Sequence, residues 1–498
     1  MSKHSLKINA ISNWITLFIT IVVGFFLTPF VIKYLDKTGY GIWTLIGSLC
    51  GYYGLLNLGV GSAITRYVAR YASQKDVNSL NSVASTAVAM FCCTGALAII
   101  ISFIISGPLA RFFKVQPENL ADFKYVIWII GIVVGVGFPG NVYYSILRAH
   151  EKFVVSNIST TIMTIVRAGL VVSVLLAGGG LIGMAIVTFI TELTILIINI
   201  LLCRFLLPSV HINLANAKFS FLRILLTYGS VTTVISIADI MRGNIDSFVI
   251  GKWVDMPSVG VYGVAVLLIR YIISIVISGM GVLAPRFASL EGKGDHDELR
   301  RLLIKALSVS SFLSFGGYMM AIVIGKQFIL WWVGYEFSDA VMILWILSVA
   351  GIFGLAQAPA IGLLYALNKH YLYAIATISE ASVNFILSII LVQKYGIIGV
   401  ALGTMIPAII FHLFITPVYV SRAAGIGIME YIKPMLTPAV LAFAIICIAY
   451  FAGIVTKDKA TVSSLLGSGM AASLLYIGLW YFIIRRFEPE LVPNLLGR

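Results

Sequence analysis

The sequence predicts an all-α membrane protein with fourteen transmembrane helices, arranged as two pseudo-symmetric six-helix lobes followed by two further helices. Composition, recurring apolar runs and an internal repeat predict this fold. Hydrophobic residues make up 60% of the 498 residues and charged residues only 11%, whereas an ordinary soluble domain has about 25% charged residues. The apolar runs recur from end to end without a polar half, which excludes a sizeable aqueous domain.

Each membrane-spanning helix needs roughly 20 apolar residues. The first run follows a short basic N-terminus and is longer than a signal-peptide core, so we expect an uncleaved span. The fourteen runs lie near residues 9–32, 42–65, 83–107, 125–147, 154–177, 182–203, 225–251, 260–285, 302–325, 339–366, 371–392, 397–420, 435–455 and 462–484.

The distribution of Lys and Arg predicts the orientation. With an even number of spans both termini lie on one side, and segments on that side hold 21 of the 34 Lys and Arg, against 10 in the opposite loops. By the positive-inside rule both termini of the multi-pass protein are expected in the cytoplasm. The net charge of +14 then reflects topology and attraction to lipid headgroups, and nucleic acid is not an expected partner.

An internal repeat relates the two halves of the chain, because four blocks recur 216 to 220 residues later. Six spans separate equivalent points, so both halves have the same orientation, as in transporters that rock two bundles about a central site. A duplication kept only for stable packing is the alternative. The matching blocks are 30–43 with 248–262, 66–80 with 286–299, 146–152 with 363–369 and 180–188 with 396–404. The predicted division is 1–206 for the N-lobe, 207–420 for the C-lobe and 421–498 for the C-terminal helix pair and tail.

A family resemblance rests on the opening of the chain. Its segments are Thr28-Pro29, Tyr34 to Trp43 (YLDKTGYGIW), Leu58 to Ala63 (LGVGSA) and Arg66 to Ala69 (RYVA). They resemble the polysaccharide-biosynthesis branch of the multidrug/oligosaccharidyl-lipid/polysaccharide exporter superfamily. The resemblance implies a MATE-like fold and a flippase. Such a flippase moves an undecaprenyl-diphosphate-linked oligosaccharide, such as an O-antigen or other surface-polysaccharide repeat unit, from the inner to the outer leaflet of the bacterial cytoplasmic (inner) membrane. It also implies membrane lipids and the polysaccharide polymerase machinery as partners.

Two sister branches are alternatives. Peptidoglycan-precursor flippases carry arginine in the first span, whereas residues 9–32 contain no charge. Cation-coupled multidrug exporters often carry an acid in the cavity of the first lobe, where the only mid-span acid here is Glu192. Both departures favour the polysaccharide branch.

Seven ionisable residues fall well inside predicted spans. A charge at the centre of a transmembrane helix costs roughly 3 kcal/mol when it faces lipid, so these side chains should face the bundle interior or a water-filled cavity. All but Asp246 are expected near the midplane, the depth of a central binding site. The seven residues are Arg167, Glu192, Asp239, Arg242, Asp246, Arg270 and Glu380.

The arginines are the candidate substrate ligands. A guanidinium presents a planar fork of donors that matches diphosphate oxygens, and we expect Arg167, Arg242 and Arg270 to hold the anionic linkage of the substrate. Arg66 and Arg286 occupy equivalent repeat positions at the cytoplasmic ends of two spans, where they are candidates to capture the headgroup. Anchoring to phospholipid headgroups is their alternative role.

The acids are the candidate ion-coupling residues, with H⁺ or Na⁺ as the coupling ion. A carboxyl group in a low-dielectric cavity can load and release a proton, which makes Asp239, Asp246, Glu192 and Glu380 candidates. On the seventh span, spacings of three and four place Asp239, Arg242 and Asp246 on one helix face. A self-neutralising acid-base-acid ladder is therefore the alternative interpretation of those three residues.

The sequence favours a carrier over an enzyme. A membrane-embedded polysaccharide polymerase or glycosyltransferase is the rival class, but no HExxH motif, GxSxG motif with partners or nucleotide-binding loop is present. The DxD pattern of Asp295 to Asp297 precedes a helical run and is better explained as an acidic helix start. We therefore expect alternating access without covalent chemistry, cofactor or metal, driven by an ion gradient or the membrane potential.

Overall fold

The computed structural model of the protein describes residues 3–57, 59–369, 371–457 and 461–487. The described chain is built from helices joined by short turns. Eleven of its helical segments are long and apolar enough to cross a membrane. The protein is therefore an all-helical, multi-pass membrane protein.

The chain forms two compact units, Met1–Gly260 and Val261–Arg498. The core of the first unit packs apolar side chains of α2, α3 and α4. Its helices are α1 (Lys3–Tyr53), α2 (Val60–Ser73), α3 (Val77–Phe112), α4 (Leu120–Ala149), α5 (Phe153–Leu176), α6 (Gly180–Leu206) and α7 (Phe219–Trp253), and α8 (Met256–Met280) begins at its end.

The second unit has its own core, in which α10 packs against α12 and α16. The aromatic rings of Phe312, Tyr476 and Trp480 stack there and attach α17 to α10. The helices of the unit are α9 (Ala284–Lys293), α10 (His296–Val323), α11 (Gly325–Trp332), α12 (Asp339–Ala356), α13 (Ala358–Ala366), α14 (Tyr371–Ile410), α15 (Thr416–Ala424), α16 (Ile428–Phe451) and α17 (Val462–Phe487).

Two of the long helices contain a sharp break. Asp36 interrupts α1 at φ 59°, and Gly396 interrupts α14 at φ 58°. Glycine adopts this left-handed conformation without a Cβ clash, whereas aspartate tolerates it because its short side chain hydrogen-bonds locally. The Asp36 carboxylate accepts a hydrogen bond from the Gly39 N–H at 2.9 Å.

The second predicted span, 42–65, is not one continuous helix. α1 ends at Tyr53, a short 3-10 turn follows over Gly54–Asn57, and α2 begins at Val60. Gly59 precedes α2 at φ 64°, a conformation that a regular helix excludes. The apolar run at 42–65 indicates a segment inside the membrane, but it does not show whether that segment is one unbroken helix.

Equivalent positions of the sequence repeat adopt equivalent local structures. The Asp255 carboxylate accepts from the Ser258 N–H at 2.8 Å, which matches the bond from Gly39 to Asp36, and Gly180 has φ 53° where its counterpart Gly396 has φ 58°. The repeat is thus preserved at its breaks and turns.

Equivalent aspartates also cap equivalent helices. The Asp76 side chain accepts from the Ser79 N–H at 3.0 Å at the start of α3, and the Asp295 side chain accepts from the Glu298 N–H at 3.1 Å at the start of α10. Hydrogen bonds from the Ser79 side chain and N–H lower the pKa of Asp76. The second contact confirms the prediction that Asp295 to Asp297 form a helix start.

Replacing Asp295 with alanine is expected to destabilise the second unit by about 1 kcal/mol, because the N-terminus of α10 loses its N-cap. The thermal unfolding midpoint in detergent measures the effect. Asp297→Ala is the matched control, since Asp297 lies in the same turn but its carboxylate is exposed and 4.0 Å from Arg300. Equal midpoints for the two variants would contradict the capping role.

Candidate functional site

The mid-span charges of the first unit begin with Arg167 on α5. Its guanidinium donates from Nη2 to the Thr188 hydroxyl of α6 at 3.0 Å, and Glu192 lies one turn beyond Thr188. The charge of Glu192 acts on Arg167. A Cβ at Gly137 of α4 would lie 2.9 Å from the Glu192 carboxylate, so the glycine leaves room for that oxygen beside α4.

The last turn of α1 lies close to this cluster. Cys50 is within electrostatic range of Arg167. At the next position, a Cβ on Gly51 would lie only 2.6 Å from the Asn244 amide nitrogen of α7. The absence of a side chain at Gly51 therefore lets α7 approach α1 closely, one residue from the position that faces Arg167.

α7 carries the predicted acid-base-acid series. Asp246 is buried and Arg242 half-buried, and Asp246 acts electrostatically on Tyr52 of α1. The backbone of Asp239 lies in α7, but its side chain lies outside the described residues. The first unit thus brings Arg167, Glu192 and Asp246 to the elements around the end of α1.

The two arginines at equivalent cytoplasmic positions have different partners. Arg66 of α2 is exposed and stacks over the Tyr228 ring of α7, 4.8 Å from the ring centroid. Arg286 of α9 is exposed and forms an ion pair with Glu298 of α10 at 3.7 Å. The surroundings of the two equivalent arginines therefore differ, and their role in capturing the headgroup stays a prediction.

In the second unit, Arg270 of α8 is exposed, and its role as a substrate ligand stays a prediction. Glu380 of α14 is buried, and its Oε1 lies 3.8 Å from Nε2 of the buried His412. His412 is not among the residues predicted from the sequence, because acids and arginines are the side chains with a high cost in lipid. A histidine in an otherwise apolar run was the available signal.

His412 lies in a π-helical turn, Phe411–Ile415, between α14 and α15. Its carbonyl oxygen accepts a hydrogen bond from the Gln357 amide at 2.7 Å, and the Gln357 carbonyl oxygen accepts from the Tyr431 hydroxyl at 2.9 Å. Gln357 lies between α12 and α13, where Pro359 opens the first turn of the next helix. All three side chains are buried, so the widened turn is fixed by a dry polar network.

A further polar contact joins the two limbs of α14. The Asn384 carbonyl oxygen accepts from the Ser388 hydroxyl at 2.9 Å and from the Thr404 hydroxyl at 3.4 Å. In the sequence repeat, Asn384 and Thr404 correspond to Arg167 and Thr188. The same helix-to-helix contact therefore occurs in both units, with an uncharged amide in place of the guanidinium in the second.

The fold is shared with solved structures of a flippase and of a multidrug transporter. A lipid II flippase MurJ in an inward closed conformation superposes with a TM-score of 0.70 at 18% identity, covering 95% of this chain and 98% of that chain. An inward-facing multidrug resistance MATE family transporter of the MOP superfamily superposes with a TM-score of 0.68 at 15% identity, covering 84% and 99%. The fold therefore defines a membrane protein with the MATE and MurJ architecture.

The sequence then gives the family. Residues 35–342 match the family described as polysaccharide biosynthesis protein, and the chain belongs to it. A relative named putative O-antigen transporter, from Shigella flexneri, is 20% identical over 395 residues, which is 78% of this chain and 92% of the relative. The predicted family resemblance is confirmed.

Proposed function

We propose that the protein is a flippase. It moves undecaprenyl-diphosphate-linked oligosaccharide repeat units, of O-antigen or another surface polysaccharide, from the inner to the outer leaflet of the bacterial cytoplasmic membrane. The name of the Shigella flexneri relative and the flippase fold support this proposal. The protein opens to one leaflet at a time, draws energy from an ion gradient and leaves the cargo chemically unchanged.

The observation that carries the proposal is the position of Arg167 inside a span, with most of its N–H donors available to a ligand. It lies in a candidate membrane span, where an unneeded charge is costly. Within the described part of the chain its guanidinium forms one hydrogen bond, to Thr188. Because a guanidinium has several N–H donors and diphosphate oxygens accept them in pairs, Arg167 is equipped to hold the linkage of the lipid carrier to the sugar.

The finer organisation belongs to the same proposal. Fourteen spans would place both termini in the cytoplasm, with lobes over 1–206 and 207–420 and a helix pair over 421–498. The breaks at Asp36 and Gly396 support this count, since each divides a segment long enough for two spans, of 47 and 54 residues. α7, with 35 residues, supplies a further candidate.

The proposal is tested in vesicles that contain the purified protein and a fluorescent polyprenyl-diphosphate sugar. We expect transfer of the probe between leaflets, measured by chemical quenching of the outer leaflet, and recovery of the probe unaltered by mass spectrometry. Parallel vesicles contain lipid II or a small organic cation. Transfer of either of these without transfer of the polyprenyl-diphosphate sugar, or cleavage or elongation of the sugar, would refute the proposal.

A further inference from the structure

Glu380 and His412 form a buried acid-imidazole pair between α14 and the π-helical turn that follows it. The two side chains are only 6% and 9% exposed, and the carboxylate and imidazole lie 3.8 Å apart. A Cβ on Gly354 of α12 would lie 2.7 Å from Nε2 of His412, so the glycine provides the space that the ring occupies. The ring is therefore held between α12 and the carboxylate of α14.

The backbone conformation around His412 sets the position of its imidazole ring. π-helical turns leave the regular hydrogen-bond pattern and often occur at functional sites, and here the Gln357 amide bonds the carbonyl oxygen of His412 itself. Tyr431 of α16 fixes that amide in turn. The network orients His412 through its backbone and leaves its ring beside Glu380.

The protonation states of such a pair differ in charge. With one proton shared between them, the pair is neutral overall, either as an acid beside a neutral ring or as an ion pair. With no proton to share, a carboxylate faces a neutral ring and the pair carries a net negative charge. Burying a net charge in a dry interior is far more costly than burying a neutral pair. Only the proton-loaded pair therefore suits the closed surroundings seen here.

Several described titratable and charged groups lie on the elements around the pair. The Tyr431 hydroxyl donates to Gln357, whose side-chain amide donates to the His412 carbonyl oxygen. Tyr373 interacts electrostatically with Tyr431. The basic side chains of Lys369 and Arg300 bond the carbonyls of Ala423 and Ala424, more than ten residues beyond His412. At about 1.5 Å rise per residue, these cations lie on the order of 15 Å along the helix axis from the imidazole. Glu380 is the acid whose carboxylate lies beside the His412 ring, 3.8 Å from Nε2.

We propose that Glu380 and His412 share one exchangeable proton and form the proton-binding site that couples transport to the proton gradient. This inference rests on the proposed function and names the coupling ion and its residues. The proton enters when the pair is open to water, and the pair closes into its buried state only when loaded. Transport in one direction is then tied to the movement of one proton.

The first test uses vesicles with the fluorescent polyprenyl-diphosphate sugar and an imposed pH gradient. For one proton per cycle, the steady-state ratio of probe between leaflets should change by about tenfold for each pH unit. His412→Gln and Glu380→Gln should still exchange the probe but show no change in the ratio. The more exposed pair of His296 and Glu291, 3.7 Å apart with side chains 61% and 34% exposed, gives the matched control His296→Gln, which should respond like the wild type.

A second measurement needs no cargo. The unfolding midpoint of the protein in lipid nanodiscs should fall as the pH is raised, because deprotonation leaves a buried net charge, and Glu380→Gln should reduce this dependence. A wild-type ratio that follows a sodium gradient, or a His412→Gln variant with full response to pH, would overturn the inference while the proposed function stands. Absence of transfer in the wild type would contradict the proposed function. Separately, an identical pH dependence of the unfolding midpoint in the wild type and in Glu380→Gln would contradict the proton-binding role of the pair.

Discussion

Replacing Arg167 with alanine is expected to lower the rate of glycolipid transfer by about 10- to 100-fold, since a hydrogen bond to a charged group contributes roughly 1.5–3 kcal/mol. Arg167→Lys should recover only part of the rate, because an ammonium keeps the charge but not the planar fork. Transfer of the fluorescent polyprenyl-diphosphate sugar in vesicles measures both variants.

Loss of transfer in Arg167→Ala needs to be separated from loss of folding. Removing the guanidinium leaves Glu192 half-buried without the cation that acts on it, and an uncompensated buried charge is destabilising. The double variant Arg167→Ala/Glu192→Gln removes both charges, so it should regain stability without regaining transfer. Arg204→Ala, an exposed arginine at the end of α6, should transfer at the wild-type rate. Wild-type transfer by Arg167→Ala would exclude this residue as a diphosphate ligand.

Much of the fold could be predicted because every span must be long enough to cross the bilayer and helical enough to satisfy its backbone hydrogen bonds there. Long apolar runs, Lys and Arg in the loops and repeated turn residues are local signals, and the hydrogen bonds at Asp36 and Asp255 show that the repeat encodes backbone geometry. The break before α2 could not be predicted from the apolar run, because the left-handed conformation of Gly59 depends on packing and not on hydropathy.

The site was predicted less completely for a different reason. Arginines and acids inside spans stand out by their cost in lipid, which is how Arg167 and Glu192 were found. Their contacts depend on which helices pack together, and no spacing along the chain predicted the bond from Arg167 to Thr188. His412 could not be predicted in the same way, because a neutral imidazole costs little free energy inside the membrane. Its significance depends on its contact with Glu380, which is distant in sequence.

Close backbone contact between α1 and the start of α8 is a second feature that only the structure reveals. A Cβ on Gly41 would lie 1.9 Å from the carbonyl oxygen of Met256, and a Cβ on Gly260 would lie 2.9 Å from the carbonyl oxygen of Lys37. Gly41 and Gly260 are equivalent positions of the sequence repeat. Two copies of one position thus meet backbone to backbone in the first unit.

Gly41→Ala is therefore expected to destabilise the protein strongly, and Gly41→Leu to prevent accumulation of folded protein. Overpacking typically costs about 1–3 kcal/mol and occasionally more when side chains can adjust, but here the opposing atom is a backbone oxygen, so a whole helix must move. The thermal unfolding midpoint and the yield of monodisperse protein in detergent measure the effect. Gly47→Ala is the matched control on the same helix, because no atom lies within 4 Å of its Cβ position. It should be neutral or stabilising by up to about 1 kcal/mol, as alanine favours the helix over glycine. If Gly41→Ala unfolds at the same temperature as Gly47→Ala, the two helices do not make this contact.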